Sequence, residues 1–505
     1  MRGLSPTFEE FDAYRGEHTH VALSVTLHAD LETPISIYRR LAAAHKPAFL
    51  LESVEGGERM SRYSFIGAGI AESLELRDGT MTHRRGPEQL SFPCDDPLGA
   101  IAQVLSATRV APREDLPRLQ GGAVGYIGFN VLRELERLPL PSDEGVGLPD
   151  LRMLIAHDVV VYDHRDHVVH VIVHVPVAGY RRSSYEAAKK RIQALVDRLM
   201  EPRAVEAPWY VGEVSDDALC SISNRSDDDF RAAVSKAQSA ILDGELFQVV
   251  ISRRETVEVE VEPFMLYRAL RSTSPSPYMF LFEFEDFALV GASPEVLVRL
   301  EGDELLVRPI AGTRRRGADA SEDLALEKDL LADEKELAEH RMLLDLGRND
   351  LGRVAAVGSV EVEAPLHIER YSHVMHIVSD VRATLREGAD AYDVFRACFP
   401  AGTVSGAPKH RACEWLATLE PDRRGPYAGA VGYFDFAGNM DTCIAIRTMI
   451  VERGKVHLQA GAGIVHDSVP ELELQECINK ARAAKVALRR ALYRTPAEPQ
   501  PREAI

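Results

Sequence analysis

The amino-acid sequence predicts an α+β fold, in which strand-rich sheets carry helices on their outer faces. Residues 20–176 are dense in short strand patterns separated by Gly, Pro and Asp clusters. From Glu245 onward, strand and helix patterns alternate in blocks. The octet GAVGYIGF at Gly122 returns as GAVGYFDF at Gly429, with six of eight positions identical. We interpret these octets as small-residue strands suited to close sheet-on-sheet packing, because one short echo does not make a repeat protein.

Length and composition divide the chain into two domains. With 505 residues it exceeds what one compact core usually covers. A connector at 201–229, rich in Ser and Asp, separates the strand-rich first part from the alternating second part. We therefore predict an N-terminal domain at residues 1–215, a second domain at 216–492 and a disordered, proline-rich tail at 493–505.

Charge and cysteine usage argue against several classes of protein. The formal net charge of −19 disfavours nucleic acid and anionic membranes as partners. The sequence has no run of about 18 apolar residues, so we expect no membrane span. The first 20 residues lack the apolar core of a signal peptide. The cysteines are scattered without a Cys-x-x-Cys pair, which predicts buried reduced thiols in a cytoplasmic protein; they are Cys94, Cys220, Cys398, Cys413, Cys443 and Cys477.

The individual elements follow from their periodicity and their ends. Ser226 before three aspartates predicts a helix start, and Gly244 predicts the end of that helix. Residues 245–261 indicate a long strand or a hairpin. The other predicted helices lie near 180–200 and at 263–271, 333–346, 408–419 and 470–492, and the other predicted strands include 278–284, 287–291 and 295–300.

The segment GAGIVHDSVPELELQECINKAR, Gly461 to Arg482, carries the strongest signal for a site. Its glycines predict a tight turn where the backbone can approach a ligand closely. Ser468 with Glu471 predicts a capping box at the start of a helix. On that helix Glu473 and Glu476 are three residues apart and share a face. Backbone N–H groups that can bind the carboxylate of a ligand thus lie next to two protein carboxylates that can bind a cation. A site that holds an anionic substrate through a metal ion needs both.

Two further groups of polar residues are weaker candidates taken alone. Glu339, on the predicted helix 333–346, suits a solvated face but could join Glu476 in binding Mg²⁺. We expect Arg348, Asn349 and Asp350 to form a compact polar network where that helix ends. His373 and His376 would point to opposite faces of one strand, which makes a poor metal site, and a lone histidine there is more often structural than catalytic.

Arg447 is harder to explain as a purely structural residue. It sits in the apolar strand pattern TCIAIRTMI, where a buried arginine needs an anionic partner from the protein or from a ligand. The loop FPAGTVSGAPKH at 399–410 fails the phosphate-loop pattern because its glycines enclose three residues instead of four. Its backbone donors and Thr403 remain able to bind an anion.

Taken in order, these segments resemble the chorismate-utilising enzyme family, and within it most closely the large-subunit (component I) branch of the anthranilate synthases. The resemblance spans about residues 20–490 and rests on many ordered motifs. They are LLESVEGGERMSRYSFIG from Leu50, GELFQVVISRR from Gly244, SPSPYMF from Ser274, GASPEVLV from Gly291, PIAGTRRRG from Pro309, KELAEHRMLLDLGRNDLGRV from Lys335, FPAGTVSGAPK from Phe399, YAGAVGYF from Tyr427, DTCIAIRT from Asp441 and the GAG–Glu helix described above.

The resemblance implies two packed, largely antiparallel β-sheets flanked by helices, with the active site in the cleft. It implies a lyase reaction in which ammonia adds at C2 of chorismate as the 4-hydroxyl leaves, and pyruvate is then eliminated to give anthranilate. It implies Mg²⁺ on Glu339 and Glu476, with Glu473 nearby. The substrate contacts carried over are Tyr427, Arg447, Gly461, Ala462 and Gly463 for the enolpyruvyl carboxylate, together with Gly312 and Thr313.

Catalytic roles are implied in the same way. Thr403 and His376 belong to the active site, and a histidine near neutral pKa suits removal of the C2 proton. Glu295, or a water molecule, would supply the proton for the departing hydroxyl. Related enzymes use lysines at two positions that are Ala311 and Gln248 here. Neither can attack the ring or activate water, so both indicate ammonia as the nucleophile.

The resemblance also implies regulation and a partner. Ser53, Pro277, Tyr278 and Met279 match the tryptophan pocket of the family, so we expect L-tryptophan to inhibit; taken alone, Ser53 would be a strand-end hydroxyl. Ser274 replaces a common asparagine, which we expect to weaken that response and leave catalysis unchanged. The chain has no glutaminase region, which implies a separate glutamine amidotransferase subunit (component II), usually in a heterotetramer of two large and two small subunits.

Two alternatives stay open. One is an aminodeoxyisochorismate synthase that stops before the loss of pyruvate. The other is a catalytically silent subunit that binds tryptophan.

Overall fold

The computed structural model describes residues 3–14, 16–43, 45–54, 62–202, 219–371 and 374–493. Two large β-sheets pack face to face and helices cover their outer faces. Among the described residues each sheet has twelve strands, and every strand ladder is antiparallel. The predicted α+β class, with two antiparallel sheets and flanking helices, is confirmed.

Most of the predicted strands are present, and many of them have continuous apolar or alternating patterns. Their bounds are β1 His20–His28, β2 Ala48–Glu52, β3 Tyr63–Ala68, β4 Glu72–Arg77, β5 Thr80–Arg85, β6 Glu88–Pro93, β7 Gly122–Ile127, β8 Leu151–Ala156, β9 Asp158–Asp163, β10 Val168–Pro176, β11 Ser221–Ser223, β12 Gln248–Glu258, β13 Tyr278–Glu283, β14 Phe287–Ser293, β15 Val296–Glu301, β16 Glu304–Val307, β17 Ile310–Arg315, β18 Glu361–Arg370, β19 Val374–Thr384, β20 Gly406–Ala407, β21 Ala430–Asp435, β22 Met440–Ile444, β23 Thr448–Glu452 and β24 Lys455–Ile464.

The helices are bounded by local capping signals. Ser226 caps its helix through a reciprocal pair of hydrogen bonds with Asp229, as the sequence predicts. The bounds are α1 Phe8–Ala13, α2 Pro34–Ala42, α3 Pro97–Ser106, α4 Leu132–Leu135, α5 Arg181–Met200, α6 Asp227–Leu242, α7 Pro263–Thr273, α8 Ala320–Ala332, α9 Glu334–Gly352, α10 Ala391–Cys398, α11 Gly402–Ser405, α12 Lys409–Leu419 and α13 Pro470–Leu492.

Both sheets take strands from both halves of the chain. Sheet I runs β1-β10-β9-β3-β2-β13-β14-β23-β24-β12-β11, with β20 paired to β12. Sheet II runs β17-β19-β16-β15-β22-β21-β7-β8-β4-β5-β6, with β18 paired to β19. The domain boundary at residue 215 and almost all of the tail at 493–505 lie outside the described residues. That division of the chain stays a prediction.

The chain crosses from one sheet to the other at two places that matter below. Between β14 of sheet I and β15 of sheet II it passes through Glu295. Between β22 of sheet II and β23 of sheet I it passes through Arg447, whose φ is +49°. Arg447 was predicted inside one strand, and that prediction is wrong. The crossing instead brings both side chains to the space between the sheets.

Apolar side chains from the inner faces of both sheets form the core between them. Phe65 of sheet I meets Tyr433 of sheet II edge to face at 6.1 Å. Tyr126 of sheet II meets Phe287 of sheet I in the same way, also at 6.1 Å. Each buried ring contributes on the order of 2 kcal/mol, and each edge-to-face pair about 1 kcal/mol more. Helices α2, α5, α7 and α13 cover the outer face of sheet I with a second core.

The two glycine octets lie side by side instead of on facing sheets. β7 and β21 are neighbours in sheet II, and Gly125 pairs with Gly432. A Cβ added to Gly432 would lie less than 3 Å from the backbone of β22. The small residues therefore allow close backbone approach within one sheet, while Tyr126 and Tyr433 of the same two strands pack against the other sheet.

Three local predictions also differ from the structure. Val469, not Ser468, is the N-cap of α13, because the Ser468 hydroxyl accepts from the backbone N–H of Val465 instead. Helix α9 continues to Gly352, so Arg348 and Asp350 lie inside it and form separate ion pairs with Asp345 and Lys409. The third concerns Cys220, which is exposed, whereas the other cysteines are buried as predicted; all are free thiols.

Among the helices described, none is long and apolar enough to cross a membrane.

Candidate active site

The predicted catalytic residues converge where the open ends of the two sheets meet helices α9, α11 and α13. β12 and β24 supply one wall, and β17 and β19 supply the other. The crossings at Glu295 and Arg447 lie between these walls, close enough for each charge to shift the pKa of the other. His373 lies outside the described residues, and the remaining site residues can be placed.

Glu295 is a buried carboxyl group whose pKa lies near neutral pH. Burial raises its pKa to about 7, while a hydrogen bond from Thr403 and the charges of Lys480 and Arg447 oppose that rise. The Thr403 hydroxyl donates to Oε1 at 2.9 Å, from the short helix α11. A carboxyl with this pKa is protonated in a large fraction of molecules near pH 7. It can therefore act as a general acid.

His376 of β19 is held by the edge strand β17. Its Nδ1 lies 3.0 Å from the Gly312 carbonyl and 3.0 Å from the Thr313 hydroxyl. Burial lowers the pKa of His376, and the Gly312 hydrogen bond opposes that shift. Gly312 has φ +72°, which turns this part of the strand out of regular register. A neutral ring that donates through Nδ1 keeps Nε2 free as a proton acceptor.

Arg447 is a partly buried cation for which the described residues provide no counter-ion. Among the described residues its guanidinium makes no hydrogen bond and no ion pair, and Glu295 is the carboxylate whose charge influences its pKa. Burial lowers its pKa, with Glu295 and Tyr371 opposing. A guanidinium in this position can bind an anionic ligand.

Residues Gly461–Gly463 lie in β24, and the predicted tight turn there is wrong. They pair with β12 on one side, whereas pairing with β23 ends at Leu458, so no described strand covers their other edge. A Cβ on Gly461 would lie 2.9 Å from the Tyr427 hydroxyl, and one on Gly463 would lie 2.6 Å from Nε2 of Gln248. The glycines therefore let Tyr427 and Gln248 pack closely against β24. The unpaired edge of this strand leaves backbone N–H groups that a carboxylate can reach.

Gln248 begins β12 and is almost fully buried, with 5% of its surface exposed. Its Oε1 atom is buried and has no hydrogen-bond partner among the described residues. An unsatisfied buried acceptor costs about 1–3 kcal/mol. A ligand that donates a hydrogen bond could satisfy this acceptor.

Carboxylates of α9 and α13 face one another across the site. Burial raises the pKa of Glu339, and the Glu336 and Glu476 carboxylates raise it further. Burial and Glu476 likewise raise the pKa of Glu473, while a hydrogen bond from Ser468 lowers it. Mutual repulsion of this kind is relieved when a cation is bound.

Lys480 is a site residue that the sequence argument missed. Its ammonium group lies 2.7 Å from Oε1 of Glu476 and donates to the Gly461 carbonyl at 3.0 Å. It also lowers the pKa of Glu295 and of Glu339. The spacing Glu476-x-x-x-Lys480 on one helix face was the signal that could have revealed it.

The acidic residues suit Mg²⁺ in number and chemistry. Within the described ranges no three His, Cys, Asp or Glu side chains are already arranged as a ligand set. Mg²⁺ usually takes only one or two protein carboxylates, with water and substrate oxygens completing its shell. Glu339 and Glu476, with Glu473 beside them, meet that requirement.

A separate cavity lies between the sheets, next to the aromatic core. Ser53, Pro277, Tyr278 and Met279, the predicted effector residues, all line it. At its polar end Asp441 accepts from the Tyr278 hydroxyl at 2.9 Å and pairs with Arg118 at 3.2 Å. The cavity thus combines aromatic walls with carboxylates from Glu52 and Asp441 and guanidinium groups from Arg118 and Arg299, a set of groups that can receive a zwitterionic aromatic amino acid.

Comparison with known proteins identifies the family of the chain. A profile described as chorismate binding enzyme matches residues 46–486. Anthranilate synthase component 1 of Acetivibrio thermocellus is 44% identical over 96% of this chain and 99% of its own length. The Pseudomonas aeruginosa protein of the same name is 45% identical over 92% of this chain and 95% of its own length.

Solved structures give the same result. Anthranilate synthase component I from Streptococcus pneumoniae superposes with a TM-score of 0.73 at 35% identity, covering 91% of this chain and 98% of that one. A menaquinone-specific isochorismate synthase from Escherichia coli has a TM-score of 0.69 at 19% identity, over 95% of this chain and 97% of that one, and shows the fold alone. The chain belongs to the chorismate-binding enzyme family.

Proposed function

We propose that this chain is the large subunit of an anthranilate synthase, converting chorismate and ammonia to anthranilate and pyruvate in tryptophan biosynthesis. The observation that carries the proposal is near full-length similarity, at 42–46% identity, to eight proteins named anthranilate synthase component 1. The site contains a side chain or backbone group that suits each step of this reaction, as the next paragraphs describe.

Arg447 and the open edge of β24 bind the enolpyruvyl carboxylate. The unpaired guanidinium offers a bidentate fork, and Gly461, Ala462 and Gly463 offer backbone N–H groups. Tyr427 is close enough to Gly461 for its hydroxyl to reach the same carboxylate. Gly312 and Thr313 line the opposite wall and hold the ring against His376.

Glu295 donates the proton that allows the 4-hydroxyl to leave as water while ammonia bonds to C2. Its pKa of about 7 keeps the proton available, and Thr403 fixes the orientation of the carboxyl. His376 then removes the C2 proton through Nε2. The ether bond to the enolpyruvyl group breaks, pyruvate departs and the ring becomes aromatic.

Glu339 and Glu476 hold Mg²⁺, and Glu473 lies beside them. When bound, the ion offsets the charge of the ring carboxylate and helps to anchor it. Lys480 bridges Glu476 and the Gly461 carbonyl and so links the cation side of the site to the carboxylate side.

Gln248 and Ala311 favour ammonia as the nucleophile. Ala311 is buried and carries no group that can attack the ring. The unpartnered Oε1 of Gln248 accepts a hydrogen bond from ammonia and cannot deprotonate water. A glutamine amidotransferase subunit supplies the ammonia, in an assembly of two large and two small subunits.

L-tryptophan occupies the cavity lined by Ser53, Pro277, Tyr278 and Met279 and inhibits the reaction. Its ammonium group is proposed to meet Asp441, and its carboxylate to meet Arg118. This chemistry takes place in the cytoplasm, where reduced cysteines are expected.

Product analysis tests the proposal against its rivals. Purified chain is incubated with chorismate, Mg²⁺ and ammonium, and the products are separated by chromatography. Equal amounts of anthranilate and pyruvate are expected. An amino-substituted product without pyruvate would establish the aminodeoxyisochorismate synthase, and unchanged chorismate would favour the silent subunit.

A further inference from the structure

The hydrogen bonds that His376 makes within the described ranges are all at one ring atom. Its Nδ1 contacts the Gly312 carbonyl and the Thr313 hydroxyl, each at 3.0 Å. A planar ring anchored at one atom can still tilt about that anchor, so these contacts alone do not fix the direction of Nε2. A general base needs a fixed direction, because a misplacement of about 1 Å can slow a reaction about 10²-fold. A second contact is therefore needed to set the plane of the ring.

Tyr371 makes such a contact. Its ring meets the imidazole of His376 edge to face, with 5.6 Å between the centroids and 61° between the planes, a favoured geometry for aromatic pairs. Tyr371 is half-buried and follows the last residue of β18. Its backbone N–H donates to the Val374 carbonyl of β19 at 2.8 Å. The phenol is thereby held beside the strand that carries His376.

The hydroxyl of Tyr371 is tied to a row of charged side chains. Glu369 lies directly opposite His376 in the ladder of β18 and β19, so the two side chains share a face. The Tyr371 hydroxyl donates to Oε2 of Glu369 at 2.8 Å. Arg308 pairs with Glu369 and also donates to Asp380 of β19 at 2.7 Å. The far end of the phenol is therefore fixed by a carboxylate that is itself held in place.

From these contacts we infer that Tyr371 is a positioning residue, which aims Nε2 of His376 at the C2 proton and so controls the loss of pyruvate. The inference rests on the proposed function. The first step, in which ammonia bonds to C2 as the 4-hydroxyl leaves, uses Glu295 as the acid and does not need His376.

The second step depends on His376. The imidazole takes the C2 proton, and the electrons of that C–H bond complete the aromatic ring. The ether bond to the ring breaks, its oxygen keeps the electron pair, and the enolpyruvyl group takes up a proton and leaves as pyruvate. A misdirected imidazole slows this step alone. The aminated intermediate, which still carries the enolpyruvyl group, is then released before it reacts.

Two substitutions separate the ring of Tyr371 from its hydroxyl. Tyr371→Leu removes the ring contact, whereas Tyr371→Phe keeps the ring and releases it from Glu369. Tyr392→Leu, on α10, removes a half-buried tyrosine that stacks on Phe434, and is the matched control. Each purified chain receives chorismate, Mg²⁺ and ammonium. Pyruvate, anthranilate and the aminated intermediate are separated by chromatography and compared with the chorismate consumed, and thermal unfolding shows whether each variant is folded.

The expected result is a change in the ratio of pyruvate released to chorismate consumed. The unsubstituted chain and Tyr392→Leu should give a ratio of about one, as the two-step reaction requires. Tyr371→Leu should lower kcat for anthranilate by about 10–100-fold while chorismate consumption stays within about three-fold, so most of the product is the aminated intermediate. Tyr371→Phe should lower kcat for anthranilate by about five-fold, because the ring contact remains.

A purely structural role for Tyr371 would slow both steps together and leave the ratio at one. A ratio of one in both Tyr371 variants therefore overturns the inference, whatever their stability. A raised KM for chorismate at that same ratio would also overturn it and would assign Tyr371 to substrate binding. If Tyr371→Leu is unfolded, the ratio in Tyr371→Phe decides. An unsubstituted chain that forms no anthranilate would instead refute the proposed function.

Discussion

Thr403 donates a 2.9 Å hydrogen bond to Oε1 of Glu295, the buried carboxyl whose pKa is raised to about 7. The two residues are 108 positions apart in sequence and reach each other only because the chain changes sheets at Glu295. The hydrogen bond stabilises the carboxylate and so limits a rise in pKa that burial alone would make larger. The pKa of Glu295 is therefore raised by burial and moderated by the hydrogen bond from Thr403.

The pH dependence of the reaction follows from this pair. Glu295 is protonated below about pH 7 and loses its proton above, so kcat/KM, referred to unprotonated ammonia, falls on the alkaline side. Thr403→Val removes a hydrogen bond that lowers the pKa, so the alkaline limb moves to higher pH. Thr403→Ser keeps the hydroxyl and should keep the profile. A Thr403→Val profile that moves to lower pH would contradict the role given to Glu295.

Replacing Glu295, the proposed general acid, should strongly reduce kcat. Glu295→Gln keeps the shape of the side chain and removes its proton, so kcat should fall by about 10²–10⁴-fold. Chorismate binding, measured by equilibrium titration, should change little. A variant with more than a tenth of the original kcat would assign the proton to a water molecule.

Glu476 should be needed for catalysis and not for regulation. Glu476→Gln removes a charge from the acidic cluster, so anthranilate formation and its Mg²⁺ dependence should collapse while tryptophan still binds. Glu471→Gln, on the same helix and paired with Arg231, is the control for net charge. Activity that persists in Glu476→Gln would show the metal assignment to be wrong.

Arg447 is expected to strengthen chorismate binding without stabilising the fold. Arg447→Met removes a partly buried charge that has no ion-pair partner among the described residues, so the thermal midpoint of unfolding should not fall. KM for chorismate should increase by roughly 10–100-fold, because a charged hydrogen-bond pair contributes about 1.5–3 kcal/mol. Calorimetry and steady-state kinetics measure the two effects separately. An unchanged KM would remove Arg447 from the substrate site.

A substitution in the cavity lined by Ser53, Pro277, Tyr278 and Met279 should weaken inhibition by tryptophan without changing catalysis. Tyr278→Phe deletes the hydroxyl that donates to Asp441, which should raise the inhibitory concentration of tryptophan several-fold, as the loss of about 1 kcal/mol implies. The uninhibited kcat should stay the same. Tyr162→Phe, outside the cavity, serves as the control. Equal inhibition of both variants would place tryptophan elsewhere.

The sequence predicted much of the secondary structure because local signals agree with the tertiary structure. Helix α13 was predicted at 470–492 and occupies those residues, since Pro470 fits a first turn and the apolar spacing continues for its whole length. β13, β14 and β15 were placed within a few residues of their observed ends. Acidic residues three apart on α13 were rightly expected to share a face.

Features that depend on tertiary packing could not be predicted in this way. Arg447 was assigned to a strand because TCIAIRTMI is continuously apolar, and nothing local marks the change of sheet within it. Gly461–Gly463 suggested a turn because glycine permits one, whereas the structure uses the missing side chains beside Tyr427 and Gln248. Ser468 looked like a helix cap and hydrogen-bonds elsewhere.

Anthranilate fluorescence from the purified chain tests the central claim most directly. Chorismate, Mg²⁺ and ammonium are mixed with the chain at alkaline pH, and emission is followed before and after a chelator is added. The proposed function predicts a rise in anthranilate fluorescence that stops on chelation and resumes when Mg²⁺ is restored. Chorismate that disappears without anthranilate, or that does not disappear at all, would contradict it.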